Sequence, residues 1–306
     1  MNSEKGDLLE KLEQKRKLYF QYFILFSLFI TIIAIPIFIE FLKRDSFVLI
    51  FLSIVYIVIL STIYIYFQSS WTNKLREEFI RDLIKQNFPE VDYYPKDYIS
   101  KKIYHESRLF ERSPKPDRYE GENLIIGRIG KTKFSLSWIN VEYKETDKDS
   151  DDRIKNEWHT IFKGILIFAD FNKDFSSTTV VFPESFIKIS PRKLERVKLE
   201  DPLFESIFDV YGDNQIESRY ILTPNFMERI IKFRQNKGEK IRLSFINSSI
   251  YIAIPTNRKF FKASSFFTSL KDIGERNIVS QYIEDLKFMT SFIEELDLNR
   301  RIWTKD

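Results

Sequence analysis

The stretch that decides the fold lies near the N-terminus, where residues 18–39 read LYFQYFILFSLFITIIAIPIFI and contain no charged side chain. Because an α-helix rises about 1.5 Å per residue, a helix of this length crosses the roughly 30 Å hydrocarbon core of a bilayer. Charge is absent again from Ser46 to Asn73, and the link between the two stretches, residues 40–45, is short and charged. The sequence therefore predicts a transmembrane helical hairpin over residues 18–70.

Two other interpretations of these apolar stretches fit less well. A cleaved signal peptide has a short charged leader and a small-residue cleavage site after its apolar run, whereas this leader is long and no such site follows. Buried helices of a soluble protein are rarely so long and so free of charge. We therefore expect the lipid bilayer to be a partner of this chain.

The basic residues around the apolar stretches predict the orientation of the hairpin. Positively charged flanks tend to stay on the cytoplasmic side of a membrane. The link contains Lys43 and Arg44, whereas the two outer flanks contain nine basic residues: Lys5, Lys11, Lys15, Arg16, Lys17, Lys74, Arg76, Arg81 and Lys85. We therefore expect two spans with both termini in the cytoplasm, beginning with a cytoplasmic segment at residues 1–17.

Beyond the hairpin, the pattern changes to a mixture of helical and strand periods. Residues 71–118 are predicted to form a juxtamembrane helix followed by a connector, and residues 119–306 to form a cytoplasmic domain. We predict an acidic loop at 144–153, a helix that begins at Thr223-Pro224 and a C-terminal helix at 276–298. The predicted strands lie at 124–127, 131–143, 160–171, 178–182, 195–199, 207–211, 241–246 and 250–254. The predicted fold class is α+β, with a mostly antiparallel sheet.

Composition argues against several classes of function. Lys plus Arg is 48 and Asp plus Glu is 44, so the net charge of +4 is too small to indicate nucleic-acid binding. Cysteine is absent, which excludes disulfides, thiolate metal sites and a cysteine nucleophile. The two histidines, His105 and His159, stand far apart in the sequence and do not form a zinc motif.

The short motifs in the chain lack residues that a cofactor or metal site requires. Gly130-Lys131-Thr132 lacks the earlier glycine of a phosphate-binding loop, and a predicted strand follows it instead of a helix. Asp147, Asp149 and Asp151 have the spacing of a calcium loop, but Asp152 stands where that loop requires glycine. We therefore predict no cofactor, no metal and no catalytic residue, although weak divalent binding by the acidic loop stays open.

The segment from 199 to 229, called here the signature segment, concentrates polar and aromatic residues. Carboxylates beside an arginine can form either a binding site or a buried polar network that merely stabilises the fold. The sequence does not decide between these alternatives, and an internal ion pair between Arg219 and one of the carboxylates is the preferred one. The candidate polar cluster consists of Asp213, Glu217, Arg219, Tyr211 and Tyr220.

The signature segment also resembles a known bacterial family. Residues 204–211, Asp213 and residues 217–229 are similar to the motifs of domain-of-unknown-function family 3137, as are residues 119–123 and 162–167. The likeness extends from about Tyr119 to Leu298, and two N-terminal spans are typical of the family. The resemblance implies a membrane protein of the bacterial plasma membrane, and it supplies no activity or catalytic residue.

Three functions remain open at this point. The preferred hypothesis is a non-enzymatic, membrane-anchored binding or scaffold module that contacts a protein partner or self-associates. The first alternative is a membrane-proximal enzyme that uses the Asp213, Glu217 and Arg219 cluster, and the second is a carrier of lipid or another small ligand. A concave pocket at the cluster favours the alternatives, whereas an exposed apolar patch favours a partner surface.

Overall fold

The computed structural model describes residues 2–41, 46–148, 154–184, 191–238, 240–262, 265–269 and 278–298. The chain divides into two compact units. The helical unit combines Met1–Leu83 with Phe261–Glu284, and the sheet unit combines Ile84–Phe260 with Asp285–Asp306. The four-part division predicted from the sequence, with bounds at 17, 70 and 118, stays a prediction.

The helical unit is built on two long helices, α1 (Asn2–Phe41) and α2 (Ser46–Lys74). A π-helical stretch, Leu75–Ile80, continues α2 and leads into α3 (Arg81–Asn87). The apolar parts of both long helices are sufficient in length and composition to span a membrane, and their side chains are not buried within the structure. The predicted pair of long apolar helices is confirmed.

Aromatic side chains fill the interior of the helical unit where the charged leader of α1 meets the end of α2. The rings of Tyr19 and Trp71 lie 5.9 Å apart, and those of Phe23 and Phe266 lie 5.4 Å apart. Arg16, which is 8% exposed, donates two hydrogen bonds to the Glu13 carboxylate and one to the Phe266 carbonyl. The buried charges of this helix are therefore paired inside the unit.

The sheet unit contains one sheet, to which nine strands contribute in the described part of the chain. Its order is β1-β2-β3-β4-β9-β8-β5-β7-β6, and the neighbouring strands pair antiparallel. The strands are β1 (Val91–Tyr94), β2 (Arg118–Ile129), β3 (Thr132–Lys148), β4 (Ile154–Asp170), β5 (Thr178–Pro183), β6 (Glu195–Arg196), β7 (Phe208–Gly212), β8 (Arg242–Ile246) and β9 (Ser249–Pro255). The predicted α+β class with a mostly antiparallel sheet is confirmed.

Six helices follow α3 among the residues that the structure describes. They are α4 (Lys101–Glu106), α5 (Pro202–Glu205), α6 (Gln215–Ile221), α7 (Pro224–Lys237), α8 (Ile278–Thr290) and α9 (Phe292–Glu295). Proline in the first turn starts α7, as predicted from Thr223-Pro224. The predicted C-terminal helix is present but divided into α8 and α9, and its first two predicted residues lie outside the described ranges.

Two local predictions were wrong. The predicted connector contains a strand, β1, and a capped helix, α4, in which the Ser100 hydroxyl accepts the Ile103 amide. The described part of the predicted acidic loop, residues 144–148, is strand, because β3 and β4 stay paired beyond the core and Thr146 bonds Asn156 at 3.0 Å. Helix α6 was not predicted, and Asn214 caps it through the amides of Ile216 and Glu217.

The buried core lies along the central strands. Leu166 on β4, Ile139 on β3 and Ala253 on β9 belong to one cluster of apolar side chains. Gly164 allows β4 and β9 to approach closely, because a Cβ atom there would lie 2.1 Å from the Ile254 carbonyl oxygen. This sheet carries the loops and short helices that surround the candidate sites.

Candidate functional site

Two carboxylates of the predicted cluster hold the backbone at the start of β5. The Asp213 Oδ1 atom accepts the amide of Thr178 at 2.9 Å. The Glu217 Oε2 atom accepts the amides of Ser176 at 3.2 Å and Ser177 at 2.9 Å. Amides that enter a strand need acceptors, so these contacts have a structural purpose within the sheet unit.

Arg219 is not paired with either carboxylate. Its guanidinium donates to the backbone carbonyls of Gln215 and Lys198, each at 3.1 Å. The reason lies in helix geometry, because residues two apart on a helix such as Glu217 and Arg219 point to different faces. The predicted internal ion pair of Arg219 was therefore wrong.

The two tyrosines of the predicted cluster lie in different surroundings. Tyr220 is 40% exposed, and Lys173 Nζ lies 4.8 Å from the centre of its ring and 2.6 Å from its carbonyl oxygen. Tyr211 is buried on β7 and lines a cavity that the other cluster residues do not line. The structure thus places the five predicted residues in separate contacts instead of one pocket.

The charged network of the signature segment centres on a residue that the sequence did not single out. Arg196 on β6 pairs with Asp209, which is buried, and lies 3.5 Å from Glu205. Glu205 also accepts the Leu199 amide at 3.0 Å. Arg196 precedes the segment, and its pairing depends on the contact of β6 with β7, which residue spacing does not reveal.

One cavity of about 340 Å³ adjoins the end of the signature segment, at the start of α7. Arg229 in this cavity pairs with Asp297 at 3.1 Å, and burial lowers the pKa of Lys173. Its polar and apolar lining includes Thr223, Asn225, Phe226, Arg229, Lys173 and Asp297. This cavity has room for a small ligand, but its arginine is already neutralised.

A second cavity, of about 430 Å³, lies beside Tyr211 and is called here the arginine cavity. Four separate parts of the chain supply most of its lining: the loop after α4, the end of β5, strand β7 and the start of β8. Its walls combine the apolar side chains of Leu109, Phe110, Phe182 and Tyr211 with the basic side chains of Arg108, Arg112, Lys240 and Arg242. Sequence analysis did not find this site, because its members are far apart in the chain.

The described residues hold no candidate metal site. In this part of the chain the acidic and histidine side chains form no group of three that could hold a metal ion. Asp149, Asp151 and Asp152 lie outside the described ranges. His159 stacks on Tyr143 at 5.2 Å. Asn123 adopts a positive φ of 63° at an irregularity of β2, and its Oδ1 atom accepts the Tyr93 hydroxyl at 2.7 Å.

Comparison with known proteins gives a partial family match and no activity. The curated proteins include no match to the chain. The crystal structure of the mycobacterial trehalose monomycolate transport factor A, TtfA, is similar over 74% of this chain and 96% of that chain, with 11% identity and a TM-score of 0.37. A likeness at this level carries no argument about function.

The family of proteins of unknown function DUF3137 matches residues 160–298. The match includes the signature segment and residues 162–167, which suggested the family from the sequence. Residues 119–123 and the apolar helices lie outside it. Residues 160–298, which make up less than half of the chain, are therefore similar to the DUF3137 family.

Proposed function

We propose that the chain is a membrane-anchored binding module, in which the α1–α2 hairpin inserts into the bilayer and the sheet unit acts in the cytoplasm. The outward-facing apolar side chains of both long helices carry this proposal. Leu25 and Phe51, for example, are 61% and 65% exposed. Exposed apolar surface of this extent is unfavourable in water and indicates a membrane or a protein partner.

The orientation of the hairpin rests on its basic flanks. Lys and Arg are concentrated before α1 becomes apolar and after α2 ends, whereas the link holds two basic residues. This distribution favours cytoplasmic termini and a plasma-membrane location with two spans. The resemblance to the DUF3137 family supports a bacterial source for the chain.

The sheet unit supports a binding function better than catalysis at the predicted cluster. Asp213, Glu217 and Arg219 all bond the backbone of their own unit, so their polar atoms already have partners. On α6, Ile216 is 79% exposed and Tyr220 is 40% exposed, and residues four apart share one helix face. This apolar face within the signature segment suits a protein partner or a second copy of the chain.

Single-cysteine labelling tests the anchoring and the orientation together. The natural chain has no cysteine, so Ser3→Cys, Asp45→Cys and Lys131→Cys each introduce the sole thiol. A maleimide that does not cross membranes should label Asp45→Cys in cells whose outer membrane or cell wall has been removed and whose plasma membrane is intact. The same reagent should label the other two variants only after the cells are lysed.

Fractionation is the matching control for the labelling result. We expect the wild-type chain to remain in the membrane pellet after a carbonate wash. Recovery in the soluble fraction would contradict the anchor, whereas labelling of Lys131→Cys in intact cells would contradict the orientation and leave the anchor in place.

A further inference from the structure

The arginine cavity has the size and composition of a small-molecule site. Its volume of about 430 Å³ lies within the usual range for ligand pockets, roughly 300–1,000 Å³. Phe110 forms part of the wall and is fixed there by stacking on Tyr104, with ring centroids 4.5 Å apart. The cavity belongs entirely to the sheet unit, so inferences about it do not depend on the membrane anchor.

Arg242 is the residue in this cavity that most needs a partner. Its side chain is partly buried, and this burial lowers the pKa of its guanidinium. Its protein contacts include a long hydrogen bond to the Leu109 carbonyl, at 3.4 Å, and the Phe110 ring, 5.3 Å from the guanidinium carbon. Among the described residues no carboxylate pairs with it. A partly buried cation without an anion is unfavourable, so an anionic ligand would stabilise this arrangement.

Two further cations of the cavity also have no carboxylate partner in the described ranges. Arg112 lies over the Tyr211 ring at 5.9 Å, and Lys240 stands two residues before Arg242. Arg108, by contrast, is already paired with Glu111 at 2.7 Å.

The acidic residues of the cavity compensate for little of this positive charge. Glu111 and Asp209 are engaged by Arg108 and Arg196, so among the described residues that line the cavity Glu184 is the carboxylate left to oppose three cations. The difference leaves about two positive charges facing the cavity. A phosphate monoester carries about −1.5 to −2 charges at neutral pH and therefore matches this excess.

We propose that the arginine cavity binds a small phosphate monoester, with the phosphate at Arg242, Arg112 and Lys240 and an apolar or aromatic body against Phe110 and Tyr211. The planar fork of an arginine suits two oxygens of one phosphate group. The aromatic walls favour an ester over inorganic phosphate. The ester could be a soluble metabolite or the headgroup of a lipid, and both offer the same chemistry.

Calorimetric titration of the full chain in phosphatidylcholine nanodiscs tests this site with phenyl phosphate as the probe. We expect saturable binding of one phenyl phosphate per chain, with weaker binding of inorganic phosphate and none of benzyl alcohol. Arg242→Leu should weaken phenyl phosphate binding by about tenfold or more, since a charge-assisted hydrogen bond is lost. Arg112→Ala should weaken it by a smaller factor.

Two controls keep the test decisive. Arg219→Ala removes an arginine of the same unit that does not line the cavity and should leave the affinity unchanged. Arg112 is exposed, so its variant should remain folded even if Arg242→Leu does not. No binding of phenyl phosphate, equal affinity in all variants, or equal binding of benzoate would overturn the proposal.

A lipid arm separates the two sources of the phosphate ester. If nanodiscs that contain phosphatidic acid weaken phenyl phosphate binding by competition, the site takes a lipid headgroup. If the affinity is the same in these discs, the site takes a soluble ester. Either result supports the phosphate site, and each remains valid if the proposed topology proves wrong.

Discussion

The helical unit and the sheet unit place their large apolar side chains in opposite ways. In the sheet unit, Leu166, Val180 and Ile252 are fully buried, as in a protein surrounded by water. In the helical unit, Leu25 and Leu28 of α1 are 61% and 53% exposed, and the same arrangement repeats along α2. This difference fits the proposed membrane anchor, since apolar exposure on this scale is stable in lipid.

Polar side chains give the same contrast. Along the hairpin, hydroxyl groups bond the carbonyl one turn earlier, as Thr31 does to Ser27 at 2.7 Å and Ser61 to Ile57 at 2.8 Å. In the sheet unit, polar groups reach distant parts of the chain, as Thr132 does to Leu298. A hydroxyl that bonds its own helix needs no water, which fits a hydrocarbon environment.

The largest stability effect is expected for a buried ion pair of the helical unit. Arg16→Ala removes the cation that binds Glu13 and the Phe266 carbonyl, and loss of one partner of a buried pair costs about 3–5 kcal/mol. Thermal unfolding of the detergent-solubilised chain measures the change. The control is Arg128→Ala in the sheet unit, which breaks an exposed pair with Glu90 and should leave Tm unchanged. Equal losses of Tm in the two variants would contradict the expectation that the ion pair of the helical unit stabilises the fold more than the exposed pair of the sheet unit.

A smaller effect, dependent on pH, is expected in the sheet unit. Burial raises the pKa of Glu295, but hydrogen bonds from Asn236, Ser291 and Lys237 outweigh it and lower the pKa below its ordinary value of about 4.5. The charged form therefore stabilises the fold above that value, and this stability disappears as pH falls through the lowered pKa. Glu295→Gln should lower Tm at pH 7 by a few degrees, and the difference should shrink in acid.

Glu294→Gln is the matched control for this pH dependence, because Glu294 is an exposed neighbour on α9. It should leave Tm unchanged at neutral pH. A difference between wild type and Glu295→Gln that grows as the pH falls would contradict the assigned direction of the Glu295 shift.

The smallest effect is expected for Arg219, which the sequence had suggested as an internal ion pair. Its hydrogen bonds go to backbone carbonyls at the surface, so Arg219→Ala should change stability by no more than about 0.5 kcal/mol. Chemical denaturation of the full chain in detergent measures this change. A loss of several kcal/mol in the free energy of unfolding would contradict this and indicate that Arg219 does form a buried ion pair.

Local signals account for the parts of the fold that the sequence predicted. Charge-free length predicts α1 and α2, Thr223-Pro224 predicts the start of α7, and alternating apolar residues predict the β8–β9 hairpin. The turn of this hairpin places Asn247 and Ser248 at positive φ, which suits a two-residue connection. These features depend on neighbours within a few residues.

Long-range pairing accounts for what the sequence did not predict. β4 pairs with β9 across an intervening segment of the chain that itself holds four strands, and no local pattern encodes that order. The prediction of a single polar cluster was wrong for a related reason. Glu217 and Arg219 are close in sequence, but residues two apart on a helix lie on different faces, here of α6. The arginine cavity unites residues near 110, 183 and 241, so spacing could not reveal it.

The most direct test of the contrast between the units exchanges exposed apolar residues for arginine in each of them. The hairpin variant carries Leu25→Arg and Leu28→Arg, and the matched sheet-unit variant carries Leu203→Arg and Ile216→Arg, which replace side chains of similar exposure. Each arginine near the middle of a membrane helix costs about 2.5–3.5 kcal/mol on insertion. Our account predicts that the hairpin variant is lost from the carbonate-resistant membrane fraction while the sheet-unit variant remains there. Equal retention of both variants, or a soluble and folded hairpin variant, would contradict it.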